Sequence, residues 1–212
     1  MMISPTKLFA RIILVCGVLL VVGCGLADDE QDEKDKYTYV HFTDAQFKQF
    51  CLSQLDLNGD SRISRYESRR VWKLDCSGQG IRSLADIEEF PHLRTLICRD
   101  NLLMMLDVKG CPDLRELDCS DNQIQHLNLD RLRALWRLDC SKNLIEQLDV
   151  HTNVSLEKIA ARENQLMTLD LKSCNLLREV DTRQNPHLET LYVKASQNIN
   201  YRIDGHTQVV VE

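Results

Sequence analysis

Leucine recurs along this chain at Leu93, Leu114, Leu135, Leu156 and Leu177, every interval being 21 residues, and the positions around it recur in phase. Three residues on stand Leu96, Leu117, Leu138, Ile159 and Val180. Five on stand Cys98, Cys119, Cys140, Ala161 and Thr182, and eight on Asn101, Asn122, Asn143, Asn164 and Asn185. A second apolar set follows at Leu103, Leu106 and Val108 and their equivalents. Strand side chains alternate with period two, so the residues three and five positions into the unit point to one side of a strand. The pattern predicts one short strand per unit and an apolar-anchored return. One unit cannot bury its apolar face alone, so units of this length stack.

Read as L-x-x-L-x-C-x-x-N, the period is that of a leucine-rich repeat. The expected fold is a leucine-rich repeat solenoid, a parallel β-sheet with mostly irregular or short helical returns, over residues 71–195. The first coil is 22 residues long, Val71 to Leu93, and carries Ile87 and Phe90 in its return, which suits a short helix. Residues 196–212 alternate toward Val209-Val210-Val211 and read as a C-terminal cap covering the last apolar face.

Upstream, residues 37–70 read as a helix-loop-helix cap. Thr43, with Gln46 three residues later, suits a capping box, and Phe47, Phe50, Cys51 and Leu55 fall along one helical face. Asp56-Leu57-Asn58-Gly59-Asp60-Ser61-Arg62-Ile63-Ser64-Arg65-Tyr66-Glu67 then matches an EF-hand calcium loop at its ligand positions. Asp56, Asn58 and Asp60 offer side-chain oxygens, Arg62 its carbonyl, Ser64 a water-mediated contact and Glu67 a bidentate carboxylate. Ca2+ wants six to eight such oxygens. The sharp turn at the sixth position normally uses glycine and here falls on Ser61, where φ > 0 is disfavoured but not forbidden. Ser64 and Glu67 also form an S-x-x-E capping box that starts the exiting helix without metal.

An EF-hand-like segment followed by Val71-Trp72-Lys73-Leu74-Asp75-Cys76-Ser77 and cysteine-containing 21-residue repeats resembles the internalin-like leucine-rich repeat proteins of Bacteroidota, from about Tyr37 onward. That resemblance implies a solenoid with a helical N-terminal cap on a secreted or surface protein. It implies no catalytic residue.

The N-terminus adds an address. Lys7 and Arg11 precede an apolar run from Ile12 to Val22, too short for a membrane span and suited to a secretory signal. Val21-Val22-Gly23-Cys24 resembles a bacterial lipoprotein signal, with residues 1–23 removed and Cys24 lipidated. The alternative is an ordinary signal peptide ending near Ala27. Residues 24–36 are dense in acid and read as a solvated tether. They also resemble the export signal of Bacteroidota lipoproteins displayed on the outer membrane. Lys and Arg number 26 against 32 Asp and Glu, and residues 24–212 carry a net −8. That balance does not suit a nucleic-acid partner, and none is expected.

The repeated cysteines Cys76, Cys98, Cys119 and Cys140 form a line. Parallel Cβ vectors do not suit a disulfide, and a line does not suit zinc, so they read as small buried hydrophobes. The six histidines are scattered without ligand spacing, and no catalytic set recurs. The asparagine column suits buried amides that satisfy backbone groups at the turns, with Gln79 in this phase in the first coil.

Specificity falls to the outward strand positions. The second of each unit gives Lys73, Thr95, Glu116, Arg137, Lys158 and Glu179. The fourth gives Asp75, Ile97, Asp118, Asp139, Ala160 and Asp181, and the sixth Ser77, Arg99, Ser120, Ser141, Arg162 and Arg183. Trp72 and Trp136 share the first position, and Trp136 is a candidate anchor. A mixed charged stripe on a rigid concave sheet suits a protein or glycan ligand, although solubility alone requires a similar surface. The expected function is non-enzymatic binding or adhesion by a surface lipoprotein. The alternative is a periplasmic envelope scaffold with the same anchor.

Overall fold

The computed structural model describes residues 12–15, 18–21 and 29–212. Two short strands, β1 (Ile12–Val15) and β2 (Val18–Val21), pair antiparallel within the apolar run read as a secretory signal. Cys24 lies outside the described residues. Among the described residues no helix is long and apolar enough to cross a membrane.

The acidic stretch is not wholly a free tether. Asp29–Lys36 form helix α1. With almost no apolar side chain to bury, the helix is held by charge: Arg69 Nη1 lies 2.7 Å from Asp35, and Arg70 Nη2 2.8 Å from Asp32. Asp35 is thereby buried. Composition alone pointed to solvation because the two arginines lie more than 30 residues downstream.

Helix α2 (Ala45–Leu55) buries Phe47, Phe50, Cys51 and Leu55, as its spacing predicts. Its cap, however, is Asp44 and not Thr43. Asp44 Oδ1 accepts the Gln46 and Phe47 N–H groups at 2.8 and 2.9 Å. Thr43 turns away and donates its N–H and hydroxyl to Asp86. Helix α3 (Arg65–Ser68) opens on the expected box, with the Ser64 side chain capping the Glu67 N–H and Glu67 reaching back.

From here the chain winds through seven coils. In order come β3 (Val71–Asp75), β4 (Thr95–Ile97), β5 (Met105–Asp107), β6 (Glu116–Asp118), β7 (His126–Asn128) and β8 (Arg137–Asp139). Then follow β9 (Lys158–Ala160), β10 (Thr168–Asp170), β11 (Glu179–Asp181), β12 (Thr190–Val193), β13 (Asn200–Arg202) and β14 (Gln208–Val211). The inner strands β3, β4, β6, β8, β9, β11 and β13 form one continuous parallel run, and β2 adds antiparallel to β3. The return strands make a second side, β5 with β7 and β10 with β12 and β14.

Register matches the sequence period: Leu74, Leu96, Leu117, Leu138, Ile159 and Val180 pair in line. Residues 196–212 add the final strands over the last apolar face as a seventh coil: Tyr201 pairs with Val180 and Val209 with Leu191. The first return forms the expected short helix, a 3-10 turn over Ala85–Glu89 that buries Ile87. Gly110 is required beneath it, because a Cβ there would lie 2.4 Å from that of Glu88.

One core cluster runs from Val40 in the cap to Val193. Each buried leucine contributes about 2 kcal/mol. Phe47 joins cap to first coil, its ring centroid 5.9 Å from that of Phe90. The described cysteines are free and buried, from Cys51 to Cys174. Burial pushes the thiols of Cys76, Cys111 and Cys174 up to about 12, so they stay protonated.

The asparagines form a second ladder. Asn143 Oδ1 accepts the Ile124 N–H of the preceding coil at 2.9 Å. Its Nδ2 donates to the carbonyls of Cys119, Cys140 and Ser141. Asn101, Asn122, Asn164 and Asn185 repeat the arrangement. Gln79 does not join: it is exposed, and its amide reaches only the Ser77 carbonyl.

Candidate functional site

Alternation on the inner strands puts every second side chain outside. Lys73, Thr95, Glu116, Arg137, Lys158 and Glu179 stand in register, joined by Asn200 of the last coil. Asp75, Ile97, Asp118, Asp139, Ala160 and Asp181 make the next column and end on Arg202. The face predicted from the period is thus one continuous surface, seven coils long, carrying Arg99, Glu116, Asp118, Arg137, Asp139, Lys158, Arg162, Asp181 and Arg183. Trp136 stands at its margin, half-buried.

The charges on this face are partly spent on each other. Ser77 and Ser120 hydroxyls donate to Asp75 and Asp118 at 2.7 and 2.6 Å. Lys158 Nζ lies 3.0 Å from Glu179. Arg183 grips Asp181 with two nitrogens at 2.9 and 2.6 Å. Burial pushes the Asp181 carboxyl up, and its hydrogen bonds with Arg183 more than offset that, holding it below the usual carboxylate range.

The acidic column is broken at Ala160, whose methyl leaves a hollow between Asp139 and Asp181. Two clefts meet there. One of about 210 Å³ is lined by Arg137, Lys158, Glu179 and Arg202; a wider one of about 640 Å³ extends past Ser141 and Arg162 to Arg99. The Nε of Arg162 is buried without an acceptor among the described residues, while its Nη2 donates to Gln184 at 3.0 Å. The last coil's contribution, Asn200 and Arg202, escaped sequence reasoning because its strand lacks the leucine, cysteine and asparagine marks. Register counted onward by 21 from Glu179 and Asp181 finds them.

The cap loop keeps the backbone of a cation-wrapping turn. Ser61 adopts φ +63°, taking the left-handed conformation that the sixth position requires, and Gly59 has φ +74°. Asp56 accepts the Gly59 and Ser61 N–H groups at 2.7 and 2.9 Å. Asn58 accepts from Asp60 N–H and Asp60 from Arg62 N–H, each at 2.9 Å. Glu67 is differently placed. It is buried, taking Leu57 N–H on one oxygen and both Ser64 N–H and the Ser64 hydroxyl on the other, at 2.7 to 2.8 Å. Among the described residues no three His, Cys, Asp or Glu side chains converge as a metal cluster. The loop thus offers the side-chain oxygens of Asp56, Asn58 and Asp60, while both oxygens of Glu67 are taken up by the helix cap and the Leu57 N–H.

No family model matches this sequence, and no curated protein matches it. Solved structures do. The functional domain of InlJ from Listeria monocytogenes, described as including a cysteine ladder, aligns with a TM-score of 0.65 at 26% identity, over 72% of this chain and 36% of that one. An internalin of the same organism, InlF, aligns with a TM-score of 0.60 at 16% identity, over 79% of this chain and 58% of that one. This chain thus spans less than two thirds of the length of either. It shares with these internalins a leucine-rich repeat solenoid.

Proposed function

We propose that this chain is a cell-surface lipoprotein that binds another protein through the outward face of its inner sheet, without an enzymatic step. The observation that carries the reading is the unbroken register of outward, largely charged columns over seven coils, with a hollow where Ala160 stands in the acidic column. A rigid surface with both signs of charge and a recess offers orientation and an anchor point to a folded partner. Likeness to internalin domains supports a binding role. The test is capture of partners by residues 24–212, beside a variant carrying D118K, D139K, R162E and R183E. Loss of a specific partner in the variant is expected, and equal recovery by both proteins removes the face from the proposal.

In the same proposal Cys24 carries the lipid and holds the protein on the outer membrane. Detergent phase partitioning should follow the parent and not Cys24→Ser. Protease shaving of intact cells should degrade the solenoid, whereas resistance would favour the periplasmic scaffold. Calcium, held by Asp56, Asn58, Asp60, the Arg62 carbonyl, Ser64 and a Glu67 shared with the helix cap, would cross-link the loop. Its effect would be stability. Millimolar calcium should raise the melting midpoint of the parent, and less so that of Asp60→Ala. An unchanged parent midpoint would remove the metal.

A further inference from the structure

The first coils carry a cluster that the alternating outward columns do not contain. One position upstream of Lys73, Thr95, Glu116 and Arg137, backbone hydrogen bonds line up Trp72, Arg94, Arg115 and Trp136. Arg94 N–H donates to the Trp72 carbonyl at 2.7 Å, Arg115 N–H to Arg94 at 2.8 Å and Trp136 N–H to Arg115 at 2.9 Å. Arg94 and Arg115 are therefore like charges in neighbouring rungs, about 4.8 Å apart along the sheet. Both are exposed. Like charges side by side are unfavourable unless a counter-charge sits between them.

That counter-charge is not supplied from within the described residues. Arg65, Arg69, Arg70, Arg178 and Arg183 each reach a carboxylate, whereas Arg62, Arg82, Arg99, Arg133 and Arg202 stand without one among the described residues but are not stacked in neighbouring rungs of this column. Arg94, Arg115 and the adjacent Arg137 have no ion pair among the described residues, in a chain with 32 acidic against 26 basic residues. Bracketing them are the chain's two tryptophans, both half-buried. The Trp72 indole N–H is buried and has no acceptor among the described residues. Tryptophan and arginine are the residues that concentrate binding energy at interfaces, and a guanidinium takes a carboxylate by two parallel hydrogen bonds.

Building on the protein-binding reading above, we propose that this rim receives an extended peptide segment of the partner with the pattern apolar-x-acidic-x-apolar. The spacing sets the pattern. Trp72 and Trp136 are three rungs apart, roughly 14 Å at strand spacing, and residues i and i+4 of an extended chain are about 13.5 Å apart. Residue i+2 then lies over the midpoint, between Arg94 and Arg115, where one carboxylate meets both guanidinium groups. The two apolar side chains lie on the indoles.

Because both tryptophans stand on this rim, intrinsic fluorescence of the full chain reads its occupancy directly. The probe is a short capped peptide with a central Glu and Leu two positions to either side; the control carries Gln at the centre. A saturable change is expected with the Glu peptide, at least about tenfold weaker for the Gln peptide and for the R94E/R115E variant. R94Q/R115Q, with the melting midpoint of the parent, should lose the same response and so excludes misfolding as the cause. No response to the Glu peptide, equal response to both peptides, or an undiminished response in both variants overturns the inference. So does a response to heparin without one to the Glu peptide, which would assign the rim to a sulfated glycan. Partner capture that is lost with the charge-swapped outward face but kept by R94E/R115E, with no peptide response, would sink this inference and leave the wider reading standing.

Discussion

Five residues directly before the ladder asparagines, Asp100, Asp121, Lys142, Glu163 and Gln184, sit in the left-handed region with φ between 53° and 63°. The first coil has Gly78 there, at φ +66°. The turn needs this conformation so that the next side chain can point inward, and the asparagine amide then closes the turn from below. Sequence reading found the asparagines because their identity repeats, but missed the residue before them. Its identity varies while only its backbone angle repeats. A non-glycine residue in this region is strained by roughly 1–2 kcal/mol, partly offset in a glycine variant by the freer unfolded chain. Glu163→Gly should therefore stabilise by about 0.5–1 kcal/mol, raising the melting midpoint by a few degrees; a lower midpoint would mean that the turn is unstrained. The amide itself can be tested by contrast. Asn143→Ala leaves one buried N–H and three carbonyls without their partner, at a cost of about 3 kcal/mol in chemical denaturation. Asn143→Asp should cost more, because a carboxylate keeps the acceptor but turns negative charge onto three carbonyl oxygens.

The joint between cap and solenoid depends on one carboxylate shared by two elements. While Asp44 Oδ1 caps α2, its Oδ2 accepts the Arg82 and Ser83 N–H groups of the first return at 2.9 and 3.0 Å. Burial works against charge on Asp44, and the four backbone donors more than offset it, holding the carboxyl below its ordinary value of 3.8. A carboxyl depressed in the folded state stabilises above its unfolded pKa and loses that contribution as pH falls through the folded value. Asp44→Asn keeps one acceptor oxygen but not both, so it should destabilise by about 1–2 kcal/mol at pH 7. The gap from the parent should narrow as pH drops below about 3.8 in denaturation curves. A pH-independent gap would assign the loss to something other than the charge. The sequence pattern placed the cap at Thr43, and the position was decided for Asp44 by donors 38 and 39 residues away. The docking of α1 on Arg69 and Arg70 was hidden for the same reason. Elements defined by their own periodicity were legible; contacts between them were not.

Across the whole solenoid the two sides are built unequally. The inner sheet runs unbroken through seven coils, whereas the return strands pair as β5–β7 and as β10–β12–β14, with nothing joined at residues 147–149 between them. Apolar pattern gives no warning, because Leu148 and Val150 are as buried as Leu127 and Leu129 one coil earlier. Stacked coils closely spaced on one side diverge on the other, and pairing at about 4.8 Å cannot then be kept along the whole outer side. The mismatch is concentrated in one coil. Clefts of about 500 and 440 Å³ flank Gln147–Asp149 on its two sides, and the same coil holds Asn153, whose Oδ1 is buried without a donor among the described residues. This coil divides the outer side into two paired blocks, while the inner face that carries the proposed binding surface stays whole. Backbone groups without a ladder partner open at low free energy. Amide hydrogens of Leu148 and Asp149 should therefore exchange at least about tenfold faster than those of Leu106 and Leu169, whose N–H groups point at a paired strand of the next coil. The inner residues Leu138 and Ile159 of the same region should remain protected. Equal protection of Leu148 and Leu106 would mean that the outer ladder is continuous in solution and that the strain is spread over all coils.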